Sequence, residues 1–566
     1  MNEAGTRSTA EPPFSDLEKK AWIALFALSA LLHLVQLGSH ALHHDESIHA
    51  WAALHLIQDG TYKYDPVYHG PIQYYAVALV FKVAGLLTGG HGDTDFTARR
   101  APALGGIALS VMALLLRRRF GPGAALAAGA LAAFSPNLLY YTRFCRDDVW
   151  SLVGTAGIFL WFDQYLARGR LRDLCFASLS ASVAFASKEN FYVLIALMVP
   201  SIAAAWAEPG RGPDVWNRLR RLIDWLEEHA VPLVGALLLF FCVSEVLYTF
   251  FLVHPESGNP VFEAISYWWG QHKMERVGGP KTFYLPRLLQ YEFAVLLPAL
   301  ALIATRWSRF TFAERFLAGW ALSSVAMYAY LGEKAGWLIV HQVLPFLPLA
   351  GAAWALLAEK GSRARLGGAA LAAASLLTAV TLSFVYPVLT PNSRKAESTI
   401  QVQTCPEMLG LVDEILAYGK VGEVPAAIVS GEAGWPMSWY VRKAPVNWQA
   451  PKGDLRPPIV LCDDGDADKQ AEVLGPSYKR DRVPFRAWWI PDISLSPLRP
   501  NLKQLLLYVF TRETWDRADG NNPIGSVFVT VFRRTGPAAA PLPPPAPAPA
   551  ADALAGQPPA DTKSAS

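Results

Sequence analysis

The sequence predicts a mainly α, polytopic membrane protein of about eleven spans, followed by a C-terminal α/β domain. Three observations predict it. Hydrophobic side chains make up 52% of the 566 residues against 17% charged ones, and the mean hydropathy is +0.22, too apolar for an ordinary soluble enzyme of this size. Apolar runs recur from residue 20 to about 386, separated by basic clusters. Beyond about residue 388 these runs cease, and short β-like runs alternate with helix-like stretches. A formal net charge of +3 with scattered basic residues excludes a nucleic-acid footprint.

The runs lie near 20–38, 101–116, 123–139, 149–167, 173–187, 191–206, 231–253, 289–305, 312–331, 336–358 and 366–386. Each approaches the length that crosses a hydrocarbon core of roughly 30 Å. The first follows Lys19 and Lys20 as a signal peptide would, but no small-residue cleavage site follows it and many further runs do, so it reads as a retained span.

One further stretch, PIQYYAVALVFKVAGLLT at 71–88, decides the sidedness of everything after it. As a span it would carry Lys82 into hydrocarbon, at about 2.5–3.5 kcal/mol near the centre. Lying at the interface, it lets that lysine snorkel to water. The interfacial reading also places Arg117–Arg119, Arg168/Arg170/Arg172, Arg211/Arg218/Arg220/Arg221, Arg306/Arg309 and Lys360/Arg363/Arg365 on one side with the N-terminus. All of them then obey the positive-inside rule. The expected protein is therefore multi-pass in the plasma (inner) membrane, with its N-terminus cytoplasmic and its C-terminus outside.

This gives a cytoplasmic segment at 1–19, a membrane domain at 20–388 with an outer loop of interfacial helices at 39–100, and an extracytoplasmic α/β domain at 389–535. In that last domain Ala426–Val429, Ile459–Leu461 and Val527–Phe532 read as strands, and 407–418 and 467–474 as helices. The Pro/Ala-rich tail at 536–566 cannot bury a core and reads as disordered or extended. The five cysteines form no C-x-x-C motif; Cys405 and Cys462 could pair if their domain lies outside the cytoplasm, which the sequence leaves open.

With sidedness set, the chemistry-bearing residues gather at outer turns. His44-Asp45-Glu46 opens a helix-like stretch at 45–58, where an acid serves either as an N-terminal cap favoured by the helix dipole or as a general base under an apolar roof. Adjacent helical residues point about 100° apart, so at most one of Asp45 and Glu46 is the base. Arg143-Phe144-Cys145-Arg146-Asp147-Asp148 is either an interfacial ion-pair cluster or part of a site. Lys188-Glu189 occupies a tight turn, as a snorkelling anchor or a ligand. Glu333-Lys334, with Trp337 and His341 on the next helix, repeats the pairing of acid and lysine. Seven of the twelve histidines lie between His40 and His91, but no spacing matches a zinc geometry, and no metal is expected. Acids able to deprotonate an acceptor beside cations able to hold an anion match transfer of a group from a lipid phosphate. The departing phosphate is then stabilised by Arg or Lys.

Those residues, in order, resemble a known class. Asp45-Glu46 after the first span, His69-Gly70-Pro71 opening an interfacial helix, Arg100-Ala101-Pro102, Arg117-Arg118-Arg119-Phe120-Gly121 and Ser135-Pro136 followed by Arg143 and Asp147 resemble the GT-C membrane glycosyltransferases, which use polyprenyl-phosphate sugars. The likeness is to protein mannosyltransferases and aminoarabinose transferases. Lys188-Glu189 and Gly332-Glu333-Lys334 with Trp337 and His341 look closer to the flippase-activity-associated branch of N-glycosylation loci. Over roughly 20–350, the resemblance implies a GT-C-like fold, Asp45 as base with Glu46 completing the Asp-Glu pair, and Asp147 as the later outer acid. His69-Gly70-Pro71 stands where aminoarabinose transferases have Lys-Pro-Pro, so phosphate binding shifts to Lys188, Lys334 or Arg143. The substrate-binding candidates are then His44, His69, Arg143, Asp147, Asp148, Lys188, Glu189, Glu333, Lys334 and His341. The class implies no cofactor for the nearer relatives, a polyprenyl-phosphate sugar donor, and a glycan, lipid or protein acceptor. Competing readings are a transporter or flippase accessory for lipid-linked sugars, and a non-catalytic scaffold.

Overall fold

The computed structural model describes residues 13–90, 92–207, 215–257, 260–274, 279–385, 395–420, 426–449, 457–489, 501–515 and 525–535. His91, Arg211 and the Pro/Ala-rich tail lie outside the described residues. A helix stands at each of the expected apolar runs, from Asp16–Leu34 (α1) to Ser362–Val380. Among the described residues four segments are long and apolar enough to cross a membrane: Asp95–Phe120, Ala230–Tyr248, Gly336–Ala358 and Ser362–Val385. The count rises to six if each of two bent pairs is one span, Pro122–Phe134 with Pro136–Thr142 and Tyr284–Tyr291 with Phe293–Arg309. The expected eleven thus exceeds what length and apolarity support by themselves. The stretch expected at the interface is a helix of 17 residues, Ile72–Thr88 (α3), that buries Tyr74, Val77 and Phe81 while Lys82 is exposed.

The chain divides into two compact units: residues 1–37 with 55–385, and residues 38–54 with 386–566. The boundary falls inside helix His44–Asp59 (α2), so the acid-bearing turn groups with the C-terminal chain.

The first unit is helical. Where Asp148–Arg168 packs on Leu171–Phe185, Gly154 permits the approach, since a Cβ there would lie 2.5 Å from the Ala184 nitrogen. Arg117, 1% exposed, ties the first helix by donating to both Glu18 carboxylate oxygens at 2.6 and 2.8 Å.

The second unit is a six-stranded sheet in the order β1 (Gln403–Thr404), β5 (Tyr478–Trp488), β6 (Gly525–Arg534), β4 (Ile459–Asp463), β2 (Ala427–Val429), β3 (Val446–Asn447). Strand β2 runs parallel to both neighbours, and the other pairings are antiparallel. Alternation along the strands supplies two cores. Ala427, Val429, Ile459, Leu461, Val529 and Val531 pack with Met408, Leu411 and Ile415 of helix Glu407–Lys420, while Ile428, Val460, Cys462 and Phe532 pack with Leu474 of helix Ala467–Leu474. Whether Cys405 and Cys462 pair was open from the sequence; both are free thiols, and burial pushes each up to about 12.

Candidate active site

In the first unit, the link between Pro136–Thr142 and Asp148–Arg168 carries Arg143 to Asp147. Asp148 opens the second helix, where the dipole favours an acid. Its buried carboxylate accepts from Lys188 Nζ at 2.9 and 3.1 Å and from Arg146 Nε at 3.4 Å, and meets His341 Nε2 at 3.0 Å. Since the carboxylate accepts, His341 Nε2 carries the proton of that bond. Arg146 also lies over the Trp337 ring, 4.0 Å from its centroid.

Asp147, 0% exposed, sits beside this array. Burial pushes its carboxyl up to about 7, against the pull of His69, Lys188 and Arg146. The result is a carboxyl that exchanges its proton near neutrality, next to one that is ion-paired.

His69 reaches the array because the loop before α3 is laced to the turn after Leu171–Phe185. Gly70 N donates to Ser187 O at 3.0 Å, and Ile72 N to Ala186 O at 3.1 Å. A Cβ at Gly70 would collide with the Ala186 carbonyl, so the glycine of His69-Gly70-Pro71 is required by this approach. His69 itself has a φ of +67°. Its Nδ1 pairs with Glu189 Oε2 at 2.7 Å, and its ring stacks on Trp268 at 4.7 Å.

Two expected ligands point elsewhere. Arg143 donates to the Leu32 carbonyl and lies over Phe384, and burial and Arg99 bring it down to about 10. Lys334 donates to the carbonyls of Tyr328 and Ala329, both at 3.1 Å, and of Leu331. It therefore satisfies orphan carbonyls at the end of helix Phe312–Tyr330. Glu333 is half-buried beside it. Arg146 belongs to the 143–148 cluster read from the sequence but was not among its named ligands, and Gln73 and Trp150 did not stand out there. Trp150 Nε1 donates to Gln73 Oε1 at 2.6 Å, and Gln73 Nε2 to Cys145 Sγ at 3.2 Å. Arg146 was legible from its neighbours; the Gln73 link was not.

In the second unit, α2 begins with a reciprocal cap. Ser47 N donates to His43 O at 3.0 Å, which makes His43 the residue before the first turn. His43 N donates to Glu46 Oε2 at 2.9 Å, and Asp45 N donates to His43 Nδ1 at 3.0 Å. Glu46 is fully buried by this role, whereas Asp45 is half-buried. His44 Nδ1 accepts from Arg486 Nη1 at 3.1 Å, and Arg486 also pairs with Glu432. Among the described residues no cluster of three or more His, Cys, Asp or Glu side chains is arranged to hold a metal.

Residues 68–248 match the sequence profile of the dolichyl-phosphate-mannose-protein mannosyltransferase family. The structure of ArnT from Cupriavidus metallidurans bound to undecaprenyl phosphate is similar with a TM-score of 0.56 at 15% identity, over 82% of this chain and 98% of that one. The same protein in its apo state gives 0.55 at 15% identity, over 80% and 95%. No curated protein matches the chain in sequence. The fold is therefore ArnT-like and that of a multi-pass membrane protein, and the resemblance to GT-C glycosyltransferases that use polyprenyl-phosphate sugars stands on a family match over residues 68–248.

Proposed function

We propose that the chain transfers a sugar from a polyprenyl-phosphate donor to an acceptor hydroxyl on the outer face of the plasma membrane, with inversion, and that Asp45 is the general base. The observation that carries the assignment is the division of labour in the Asp-Glu pair. Glu46 is committed to the His43 amide, while Asp45 stands half-buried one residue earlier. In the reaction an Asp45 oxygen takes the acceptor's proton, the hydroxyl oxygen bonds to the anomeric carbon, and the bond from that carbon to the phosphate oxygen breaks. The departing polyprenyl phosphate keeps the electron pair, and cationic donors stabilise it. Taken by itself, the first unit offers Lys188, Arg146 and His341 as donors for a lipid phosphate, gathered on Asp148. The acceptor is a glycan, lipid or protein. In this reading the membrane domain has eleven spans with α3 at the interface, the N-terminus is cytoplasmic, and the C-terminal domain faces outward.

A second reading takes Asp147 as the base, favoured by its proton affinity near pH 7. One experiment tests both. Purified full-length protein in nanodiscs is incubated with a panel of polyprenyl-phosphate sugars and acceptors, with and without chelator, and products are read by mass spectrometry. Transfer abolished by D45N and retained by D147N supports the first reading. The reverse supports the second. No transfer with any donor favours lipid-linked sugar transport or scaffolding.

A further inference from the structure

The cap at the start of α2 is unusual in its chemistry. Residues before a first turn are ordinarily Ser, Thr, Asp or Asn, whose side-chain oxygen accepts from an amide two or three residues on. Here an imidazole does so, and the Glu46 carboxylate returns the bond to the His43 amide, completing a box ordinarily built from a hydroxyl and a glutamate.

The contacts fix the tautomer. A backbone amide only donates, so His43 Nδ1, which receives the Asp45 amide, is the bare nitrogen. A carbonyl only accepts, so His43 Nε2, 2.8 Å from the Gln401 oxygen, carries the proton. The ring is 2% exposed and spans from the helix start to residue 401 of the same unit.

Its anchor is held in turn. Val402, directly after the accepting carbonyl, has a φ of +51°. A β-branched residue rarely adopts that conformation, and it persists only where surrounding bonds enforce it. Those bonds are present: Thr404 Oγ1 donates to Leu42 O at 2.7 Å, Gln403 Nε2 to Ala41 O at 3.3 Å, and the Tyr440 hydroxyl receives Leu42 N at 2.7 Å. Residues 41–44 and 46 are thus each tied by a named bond, and the half-buried Asp45 lies within the turn they define.

We propose that His43 is a positioning residue: anchored on the Gln401 carbonyl, its imidazole holds the Asp45 amide and so sets the direction of the Asp45 carboxylate. This rests on the reading of Asp45 as base. It assigns the C-terminal domain a part in orienting that base, through a contact chain running from the strained 401–404 segment to the helix start.

The test compares H43A, H43N and H43F in the full-length protein. Asn keeps an acceptor for the helix amide, whereas Phe fills the volume without one. Hydrogen exchange read by mass spectrometry over residues 44–50 should quicken about tenfold in H43A and H43F and return to within about threefold of the parent in H43N. Strands β4 to β6 should be unchanged. Transfer from the donor found in the panel should lose about tenfold in kcat in H43A and H43F with KM for the donor unaltered, and recover in H43N. Should H43A fail to accumulate, H43N and H43F carry the comparison. Exchange unchanged in H43F, or no recovery in H43N, overturns the proposal. Loss of kcat and KM together with a falling Tm assigns His43 to stability alone and also overturns it. D45N, assayed in parallel, isolates the underlying reading: unimpaired transfer there removes Asp45 as base, whereas the exchange result judges the cap independently.

Discussion

The two acid pairs of this chain, Asp45-Glu46 in one unit and Asp147-Asp148 in the other, solve the same problem by different means. In each, one carboxylate is committed to structure. Asp148 is committed through cations, since Lys188, Arg146 and His341 surround it in a fully buried array. Glu46 is committed through the backbone, by accepting the His43 amide at the start of α2. The remaining member is left with a distinct environment: Asp147 fully buried with its proton affinity raised, Asp45 half-buried on a capped turn. Adjacent acids in a sequence are therefore poor evidence for two catalytic carboxylates. The partner of each acid decides its role: Asp148 draws Lys188 and His341 from distant parts of the chain, whereas Glu46 finds the His43 amide three residues away.

The comparison breaks most decisively at Asp45. D45N should lower transfer by about 10²–10⁴-fold, the usual contribution of a general base, with thermal stability nearly unchanged. Measured single-turnover rates comparable to those of the parent would move the base to Asp147. Next in size is K188M, which leaves the Asp148 carboxylate buried without its shortest cationic contact. Removing one partner of a buried pair costs about 3–5 kcal/mol, so detergent-solubilised K188M should melt well below the parent. The double variant K188M/D148N, with both charges gone, should recover much of that loss. A K188M protein as stable as the parent would mean that Lys188 serves an incoming anion more than it serves Asp148.

Much of the fold was legible because a bilayer permits little choice. Each span must be apolar and helical to satisfy its backbone, and helices stand at each of the apolar runs read from sequence. The breaks within them were less legible. Glu292, between helices Tyr284–Tyr291 and Phe293–Arg306, accepts from Ser135 Oγ at 2.5 Å and from Asn137 N and Nδ2 at 2.9 Å, a link between two helix breaks that no local pattern announces. Strand β5 was missed for a related reason. Its sequence, YKRDRVPFRAW, reads as charged and contains Pro484, but Arg533 of β6 bonds Asp481, and a register shift accommodates the proline. At the site, His69-Gly70-Pro71 and Lys188-Glu189 were visible as motifs, and the structure joins them through His69 and Glu189. Arg143 and Lys334 were expected as phosphate ligands from charge and position; Lys334 donates to carbonyls three to six residues before it, and Arg143 Nη1 donates to the Leu32 carbonyl, a contact that depends on a tertiary neighbour.

The environment of Asp147 also predicts a pH dependence. Its native carboxyl titrates at about 7, and an ordinary aspartate at about 3.9. The native protein therefore holds this proton more tightly than the unfolded chain does. Stability from this group is full below about pH 4 and declines as pH rises towards 7, by about 1.4 kcal/mol per unit within that window. D147N, which cannot ionise, should flatten that decline, and urea unfolding of the first unit between pH 5 and 7.5 measures it. A slope identical in parent and variant would place the titrating group elsewhere and remove the observation that favours Asp147 as base.

The smallest effect sharpens the comparison most finely. E46Q replaces the carboxylate that receives the His43 amide with a carboxamide whose oxygen accepts the same bond, an exchange the capping box tolerates. The cost should be about 1 kcal/mol, the difference between a charged and a neutral acceptor at a buried position. Transfer should fall by no more than about fivefold, because the carboxylate that takes the proton is one residue away. E46A, which removes the acceptor, should cost more stability than E46Q while D45N costs almost none. If instead E46Q loses transfer as severely as D45N with its fold intact, Glu46 takes part in the proton transfer, and the contrast between a structural and a chemical member of the pair fails at α2.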